Sequence, residues 1–276
     1  MIAPTPSAPH KSANQLLGRP VISQANAFLL GYRKTALEKL FKAIFLRSRA
    51  EMNDGACELG MLQCLIPPGS TTVDVGANVG DFSRRLSEIS QGGLVIAVEP
   101  QSMPRSIFTM AGFLKKDSNI LVVPVALGDT HGLTVLSVPI KSKGNVGIGL
   151  AHIGDAADFA GRFDVKKELV SLTTLDAVLA RIQTGPLSFI KIDVEGGELA
   201  VLRGAIATID AYRPAILCEI DDREARFGAT RADLVAFFTA RDYVPRRITD
   251  LAELAPDDIE KNTVFVPRER VFPARS

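Results

Sequence analysis

The sequence predicts an α/β fold built on a mostly parallel sheet, and three observations predict it. Short β-branched runs alternate with helical patterns at regular spacing, from Thr72–Val75 through Leu94–Glu99 to Leu187–Val194. The first run leads into a glycine turn, Gly76-Ala77-Asn78-Val79-Gly80, and then into apolar residues at helical spacing: Phe82, Leu86 and Ile89. Acidic residues stand at or near the ends of several runs: Asp74, Glu99, Asp193 and Glu219.

Composition narrows the class. The chain has 276 residues, 46% of them hydrophobic, which suits one large core. Its 32 basic and 31 acidic residues leave a net charge of +1, so no electrostatic footprint for nucleic acid follows. With no Trp and three Tyr, stacking platforms for bases are also scarce. Cys57, Cys64 and Cys218 form no C-x-x-C pair, which argues against a zinc site or a disulfide framework. Cys57 and Cys64, two helical turns apart, are expected to face one core. No apolar run reaches the roughly 18 residues of a membrane span, and the start lacks the pattern of a secretory signal. The expectation is a cytoplasmic protein.

In chain order, residues 1–22 read as a disordered tail rich in Pro, Ser and Ala. Residues 23–66 form a helical extension. Its first helix, Ser23 to about Glu51, carries Phe28, Leu29, Tyr32, Leu37, Leu40, Phe41, Ile44 and Phe45 among Arg33, Lys34, Lys39, Lys42, Arg47 and Arg49. Such a helix packs its apolar stripe on the domain, or makes peripheral membrane contact through residues 25–50. A second helix, Gly55 to Leu65, ends at the turn Pro67-Pro68-Gly69. Residues 67–276 form the α/β domain. Its helices span Asp81–Ser90 and the stretch from Pro100 to about Lys115. Strands Ile120–Ala126 and Leu133–Val138 follow. Pro139 to about Lys167 reads as a long irregular loop. Then come Val170–Leu172, helix Thr174–Ile182, strand Leu187–Val194 and helix Glu198–Ile209. Strand Ala215–Ile220 and helix Arg231–Arg241 lead to Tyr243–Ile248 and Thr263–Val266, an antiparallel hairpin at the sheet edge.

The glycine turn reads G-x-x-x-G, with Asp74 two residues before its first glycine. A pyrophosphate there would meet a carboxylate in a partly dry cleft, and like charges repel. A ligand with an ammonium, a sulfonium and an adenosine avoids that conflict, as S-adenosylmethionine (SAM) does. The plain alternative is a tight turn with an exposed Asp. Glu99 follows Gly80 by 19 residues, the place for an acid that accepts hydrogen bonds from a ribose diol. Side chains alternate along a strand, so Lys191, Asp193 and Glu195 are expected on one face. Burying three ionisable groups costs several kcal/mol per ion, so they need partners or a ligand. Open α/β sheets bind ligands at the carboxyl ends of their strands.

The segments VDVGANVGDF, VEP, PVALGD and FIKIDVEGGELAVLRGA, in this order and spacing, resemble the FkbM family of SAM-dependent methyltransferases from about Glu58 to Ile220. The resemblance implies a Rossmann-like seven-stranded SAM-dependent methyltransferase fold with an antiparallel last strand. It also implies SAM as donor and O-methylation of hydroxyls on sugars, glycolipids or polyketide-type molecules. By position, Asp74, Gly76, Ala77, Asn78 and Gly80 would form the methionine-side loop and Glu99 would hold the ribose. Ala126 and Leu127 would lie near the adenine, and Asp193 near the methyl. The aromatic that commonly follows the second glycine is displaced by Asp81, so that Phe82 comes next.

An alcohol acceptor requires a general base. Glu195 and Asp193 are the first candidates, because the sheet would fix them and repulsion would raise one pKa; Glu219 and His152 follow. A loop histidine such as His152 is otherwise a solvated side chain. Asp193, Glu195, Glu219 and Asp221 could offer oxygens to a divalent cation, but their spacing assigns no metal ligand. The glycine-rich segment Gly144–Gly161, with Lys141, Lys143 and Asn145, is the expected acceptor loop. Other readings stay open: an NAD-dependent oxidoreductase with an unusual glycine loop, a catalytically silent SAM-binding module, and a methyltransferase for protein or RNA.

Overall fold

The computed structural model describes residues 55–115, 117–140, 151–154, 163–220 and 222–270. The expected tail, the helix of residues 23–51, Asp221 and most of the segment 144–161 lie outside the described residues.

The main sheet has seven strands in the order β10-β11-β9-β8-β1-β2-β3. These are β1 (Thr71–Val75), β2 (Val95–Val98), β3 (Ile120–Val123), β8 (Leu187–Ile192), β9 (Ala215–Glu219), β10 (Tyr243–Arg247) and β11 (Asn262–Pro267). The first five run parallel, while β11 pairs antiparallel with both β9 and β10. The edge hairpin expected from the sequence is therefore present, with β11 inserted between β9 and β10.

Val95 and Ala97 of β2 face one layer of helices, while Ile96 and Val98 face the other. The first layer contains α1 (Gly55–Leu65), α2 (Asp81–Ile89) and α3 (Ser102–Lys115). The second contains α4 (Leu175–Leu179), α5 (Glu198–Arg203), α6 (Ile206–Tyr212) and α7 (Arg231–Thr239). Helix starts are chemically marked. Thr174 caps α4 by accepting from Ala177 N at 3.1 Å, and Thr230 forms a capping box with Asp233 at α7. Cys64 of α1 is exposed and Cys218 buried, so the shared core expected for Cys57 and Cys64 does not hold for Cys64.

The sequence expectation fails most clearly between Ile120 and Thr173. The run Ile120–Ala126 is not one strand: β3 ends at Val123, and Pro124, which has no N–H to donate, turns the chain out of the sheet. Beyond Pro124 the chain builds a second sheet, ordered β4-β7-β5-β6, from β4 (Ala126–Leu127), β5 (Gly132–Ile140), β6 (His152–Ile153) and β7 (Asp164–Thr173). β5 and β7 pair antiparallel from Gly132↔Leu172 to Ile140↔Asp164. Strand thus replaces parts of the expected irregular loop. The charged start of β7, Asp164 to Glu168, hides it in the sequence. Glu168 has a specific partner, since its Oε2 accepts from Ser102 N at 3.0 Å and caps α3 from the second sheet. Leu136 and Val138 of β5 pack with Val79, Met103, Ile107 and Ala111 beneath that contact.

Among the described residues, no helix is long and apolar enough to cross a membrane. At the far edge, the Phe238 and Phe265 rings stack with centroids 3.7 Å apart, and both are fully buried. Phe265→Ala should cost about 3–5 kcal/mol and lower Tm by roughly 10 °C; a thermal melt of the variant checks the edge strand's place in the core.

Candidate active site

The glycine loop after β1 turns left-handed three times, at Gly76 (φ 81°), Asn78 (φ 53°) and Gly80 (φ 86°). A Cβ on Gly76 would stand 1.9 Å from the Asp193 carbonyl oxygen, and one on Gly80 would stand 2.3 Å from the Phe108 ring. Both glycines are therefore required by neighbouring protein. Four of the loop's five amides are also committed. Gly76 N and Ala77 N donate to Val98 O at 3.0 Å, Asn78 N to Glu99 Oε2 at 2.8 Å, and Gly80 N to Ala77 O at 2.9 Å. A cradle for pyrophosphate needs such donors unspent.

A cavity opens beside this loop at the carboxyl edge of β1 and β2. Asn78, Glu99 and Gln101 form one wall, and Val125, Ala126 and Leu127 an apolar one. Leu136, Ala151, His152 and Ile153 of the second sheet close a third side, while Gly76, Asp193, Val194 and Glu195 line the strand ends. Glu99 is buried and accepts from Gln101 N as well as Asn78 N, both at 2.8 Å. Burial pushes its carboxyl up to about 7; the two N–H donors oppose that shift, and the charge of Asp74 adds to it. Asn78 Oδ1 and Gln101 Nε2 are buried without a hydrogen-bond partner among the described residues, and Gln101 is only 3% exposed. An acceptor, a carboxyl and a donor thus line one wall, two of them awaiting partners. That set suits the hydroxyls and ring nitrogens of a nucleoside, so the residues present fit the adenosine of SAM.

Behind the strand ends lies a buried ion cluster. The register pairs Asp74 of β1 with Lys191 of β8. Lys191 Nζ lies 3.6 Å from Asp74 Oδ1 and 3.1 Å from Asp193 Oδ2, and 5.2 Å from the centre of the Phe82 ring. Ser83 Oγ donates to Asp74 Oδ2 at 2.6 Å. Burial opposes the Lys191 charge, but Asp74, Asp193 and Glu219 outweigh it and hold the ammonium above its ordinary value. Asp193 is likewise held below the usual carboxylate range: burial works against its charge, and Lys191 prevails.

Of the residues expected at the site, Gly76, Asn78, Glu99, Ala126, Leu127, Asp193 and Glu195 line the cavity. Asp74, Ala77, Gly80 and Glu219 stand behind that lining. Lys191 and Asp193 come together as expected, but Glu195 does not join them on a common face. β8 ends at Ile192, and Glu195 sits in a left-handed turn at φ 64°, where alternation no longer applies. Glu195 instead pairs with Arg223 from the 3-10 helix Asp222–Phe227. Glu219, at the end of β9, lies 2.5 Å from Lys261 Nζ and 3.4 Å from Arg223. Burial, then its hydrogen bond with Asp193, push it up to about 7, against the pull of Lys261. His152 is not a solvated loop residue: it is 2% exposed, on β6 opposite Ser137. Among the described residues, no group of three or more His, Cys, Asp or Glu side chains is placed to hold a metal ion. Sequence reasoning missed Gln101, Arg223 and Lys261; only Gln101 left a signal, two residues beyond Glu99.

The strand order, the antiparallel β11 and the cavity at the strand ends define a Rossmann-like domain of the methyltransferase class. The sequence matches the methyltransferase FkbM domain over residues 74–245, well over half of its length, and the chain belongs to that family. Among solved structures it is similar to methyltransferase FkbM from Methylobacillus flagellatus KT. That pair shares 18% identity over 90% of this chain and 60% of the other, with a TM-score of 0.46. It is also similar to precorrin-6y C5,15-methyltransferase from Geobacter metallireducens GS-15 (10% identity, 79% and 89% covered, TM-score 0.40). A SAM-dependent methyltransferase from Aquifex aeolicus gives 12% identity, 82% and 96% coverage and a TM-score of 0.42. The chain spans 60% of the length of the Methylobacillus protein. No curated protein matches it significantly.

The raised Glu99 pKa has a stability consequence with a definite sign. The folded state keeps a proton on Glu99 up to about pH 7, while the unfolded chain releases it near 4.5. The unfolded state therefore binds fewer protons in that window, and stability falls as pH rises through it, levelling off above 7. Glu219 acts in the same direction. Glu99→Gln should make the slope between pH 5 and 7 shallower by about 1 kcal/mol per pH unit, measured by denaturant titration at several pH values.

Proposed function

We propose that the chain is a SAM-dependent O-methyltransferase that acts on a hydroxyl of a small molecule or glycan, such as a sugar, glycolipid or polyketide-type acceptor. The observation that carries this reading is the polar wall of Asn78, Glu99 and Gln101 beside a glycine loop with four of its five amides already spent. The spent amides also disfavour the second reading, an NAD-dependent oxidoreductase.

In this reading Glu99 holds the ribose diol, Asn78 and Gln101 add an acceptor and a donor, and Val125, Ala126 and Leu127 cover the adenine. Gly76 and Asp193 border the methionine side. SAM, when bound, supplies a methyl group on a sulfonium, already activated for in-line displacement. The protein's remaining tasks are alignment and taking the hydroxyl proton. Asp74 serves as a positioning residue: it fixes Lys191, and Lys191 fixes Asp193. Asp193 reaches the cavity but holds protons weakly. Glu219 behind it holds them up to about pH 7, so the hydroxyl proton passes to Asp193 and rests on Glu219. Glu195, tied to Arg223, serves as the wall of the acceptor side. The reading involves no nucleic acid and no resident metal.

Calorimetric titration with SAM, S-adenosylhomocysteine and NAD in parallel tests the donor. Binding of the first two and silence from NAD are expected; binding of NAD alone sinks the proposal. Glu99→Gln should weaken SAM binding by about 1–3 kcal/mol, roughly 5- to 150-fold. Wild-type affinity should rise about tenfold from pH 6 to 8 as Glu99 ionises. At saturating SAM, kcat should rise with pH through a value below the one of about 7 to which Glu219 is pushed in the free protein, because the sulfonium favours its ionised form. Glu219→Gln should lower kcat and flatten that profile while sparing SAM affinity.

A further inference from the structure

Among the described residues, a conspicuous apolar exposure lies away from the cavity. Phe113, at the C-terminal turn of α3, is 84% exposed; Met110 and Leu114 beside it and Leu121 on β3 are also exposed. Met110, Phe113 and Leu114 lie at i, i+3 and i+4 along the helix, so they form one patch. A shallow groove with Phe108, Gly112, Ile120 and Val122 in its walls adjoins it. β3 is the terminal strand of the seven-stranded sheet. An exposed apolar patch of this kind beside a sheet edge is a docking surface or an aggregation hazard.

We infer that this patch is covered by the chain's own residues 23–51, whose apolar stripe docks on α3 and the β3 edge. Three observations select this occupant. The segment carries an apolar stripe (Phe28, Leu29, Tyr32, Leu37, Leu40, Phe41 and onward) that a helix must bury. It joins the body at α1, which shares a sheet face with α2 and α3. The reach is sufficient: α1 shares a buried cluster with residues of β8, β9 and β11, and from β9 to β3 is four strand spacings, about 19 Å. Residues 32–55 in helical form span about 35 Å. Charge agrees as well. The segment has six basic residues, Arg33, Lys34, Lys39, Lys42, Arg47 and Arg49, against Glu38 and Glu51. The α2 surface it would cross on the way exposes Asp81 and Glu88. The docked segment extends the helical layer over the open sheet edge.

Hydrogen exchange of the full-length chain tests this, with mass followed by light scattering. Wild-type residues 28–45 and 108–122 should both be protected. Phe113→Glu, a change at an exposed site, should speed exchange of residues 28–45 about tenfold or more. Phe41→Glu, or Leu37→Glu as a second variant, should do the same to residues 108–122, because coupling between two docked surfaces is reciprocal. The mass should be the same for all. Three results overturn the inference. The first is that either substitution leaves the opposite segment unchanged. The second is coupling that disappears on dilution as the mass halves, which assigns the patch to a second copy. The third is protection of residues 28–45 only after phosphatidylserine vesicles are added, which assigns the segment to a lipid surface.

Discussion

The interaction on which the site depends is the Lys191 ammonium held between Asp74 and Asp193. It exists because the parallel register sets Asp74 directly beside Lys191, so two side chains of opposite charge share one face of the sheet. Ser83 completes Asp74 and the Phe82 ring flanks the ammonium, both from the first turns of α2. The cluster therefore ties together the end of β1, the end of β8 and the helix after the glycine loop. The same junction brings the Asp193 carbonyl so close to Gly76 that no other residue fits there. Removing one member of such a cluster strands a buried charge, at a typical cost of about 3–5 kcal/mol. The ion cluster and the glycine loop are one construction.

That construction supplies only the floor and one wall of the cavity. The opposite wall comes from the second sheet, which is anchored from outside the main sheet. Glu168 caps α3 through Ser102 N, and Leu136 and Val138 pack against Val79 and Met103. His152, Ala151 and Ile153 reach the cavity only because β6 pairs with β5. Asn78, Glu99 and Asp193 are therefore fixed by the parallel sheet and its loops, and Val125, Ala126, Leu127 and His152 by the segment that leaves that sheet at Pro124. A segment carried on its own anchors varies without disturbing the strand ends, a division of labour that lets one fold carry different sites.

The parallel core is legible in the sequence because buried strands read as apolar runs and glycine turns punctuate them. Glu99 is legible from its distance to Gly80. The second sheet is legible only in part: the expected run Leu133–Val138 lies in β5 and Val170–Leu172 near the end of β7, but β7 begins with Asp164, Lys166, Lys167 and Glu168, which carry no period-2 signal. Its Glu168 is explained by a partner 66 residues away, which no local window contains. Glu195 misleads for a related reason. Strand alternation stops at Ile192, and in the turn beyond it only the positive φ of Glu195 and Gly196 decides direction. Asp74 reads as a ligand contact because it precedes the glycines. Its position as the inner partner of Lys191 depends on the register between β1 and β8, which the sequence alone does not display.

Proton affinities at the site separate in a way that bears on function. Glu99 and Glu219 are both pushed up to about 7, while Asp193 is held down. Three ionised acids sharing a partly dry cavity would repel one another. The fold avoids this by giving Lys191 to Asp74 and Asp193, and by burying Glu99 so that it stays neutral until hydrogen-bond donors arrive. A ligand that brings hydroxyl donors to Glu99 favours its ionised form. By linkage, ionised Glu99 then favours the ligand by the same free energy. A cationic ligand acts on Glu219 in the same sense through the field, and deepens the preference for an ionised carboxylate near the strand ends. Binding and deprotonation are thus coupled.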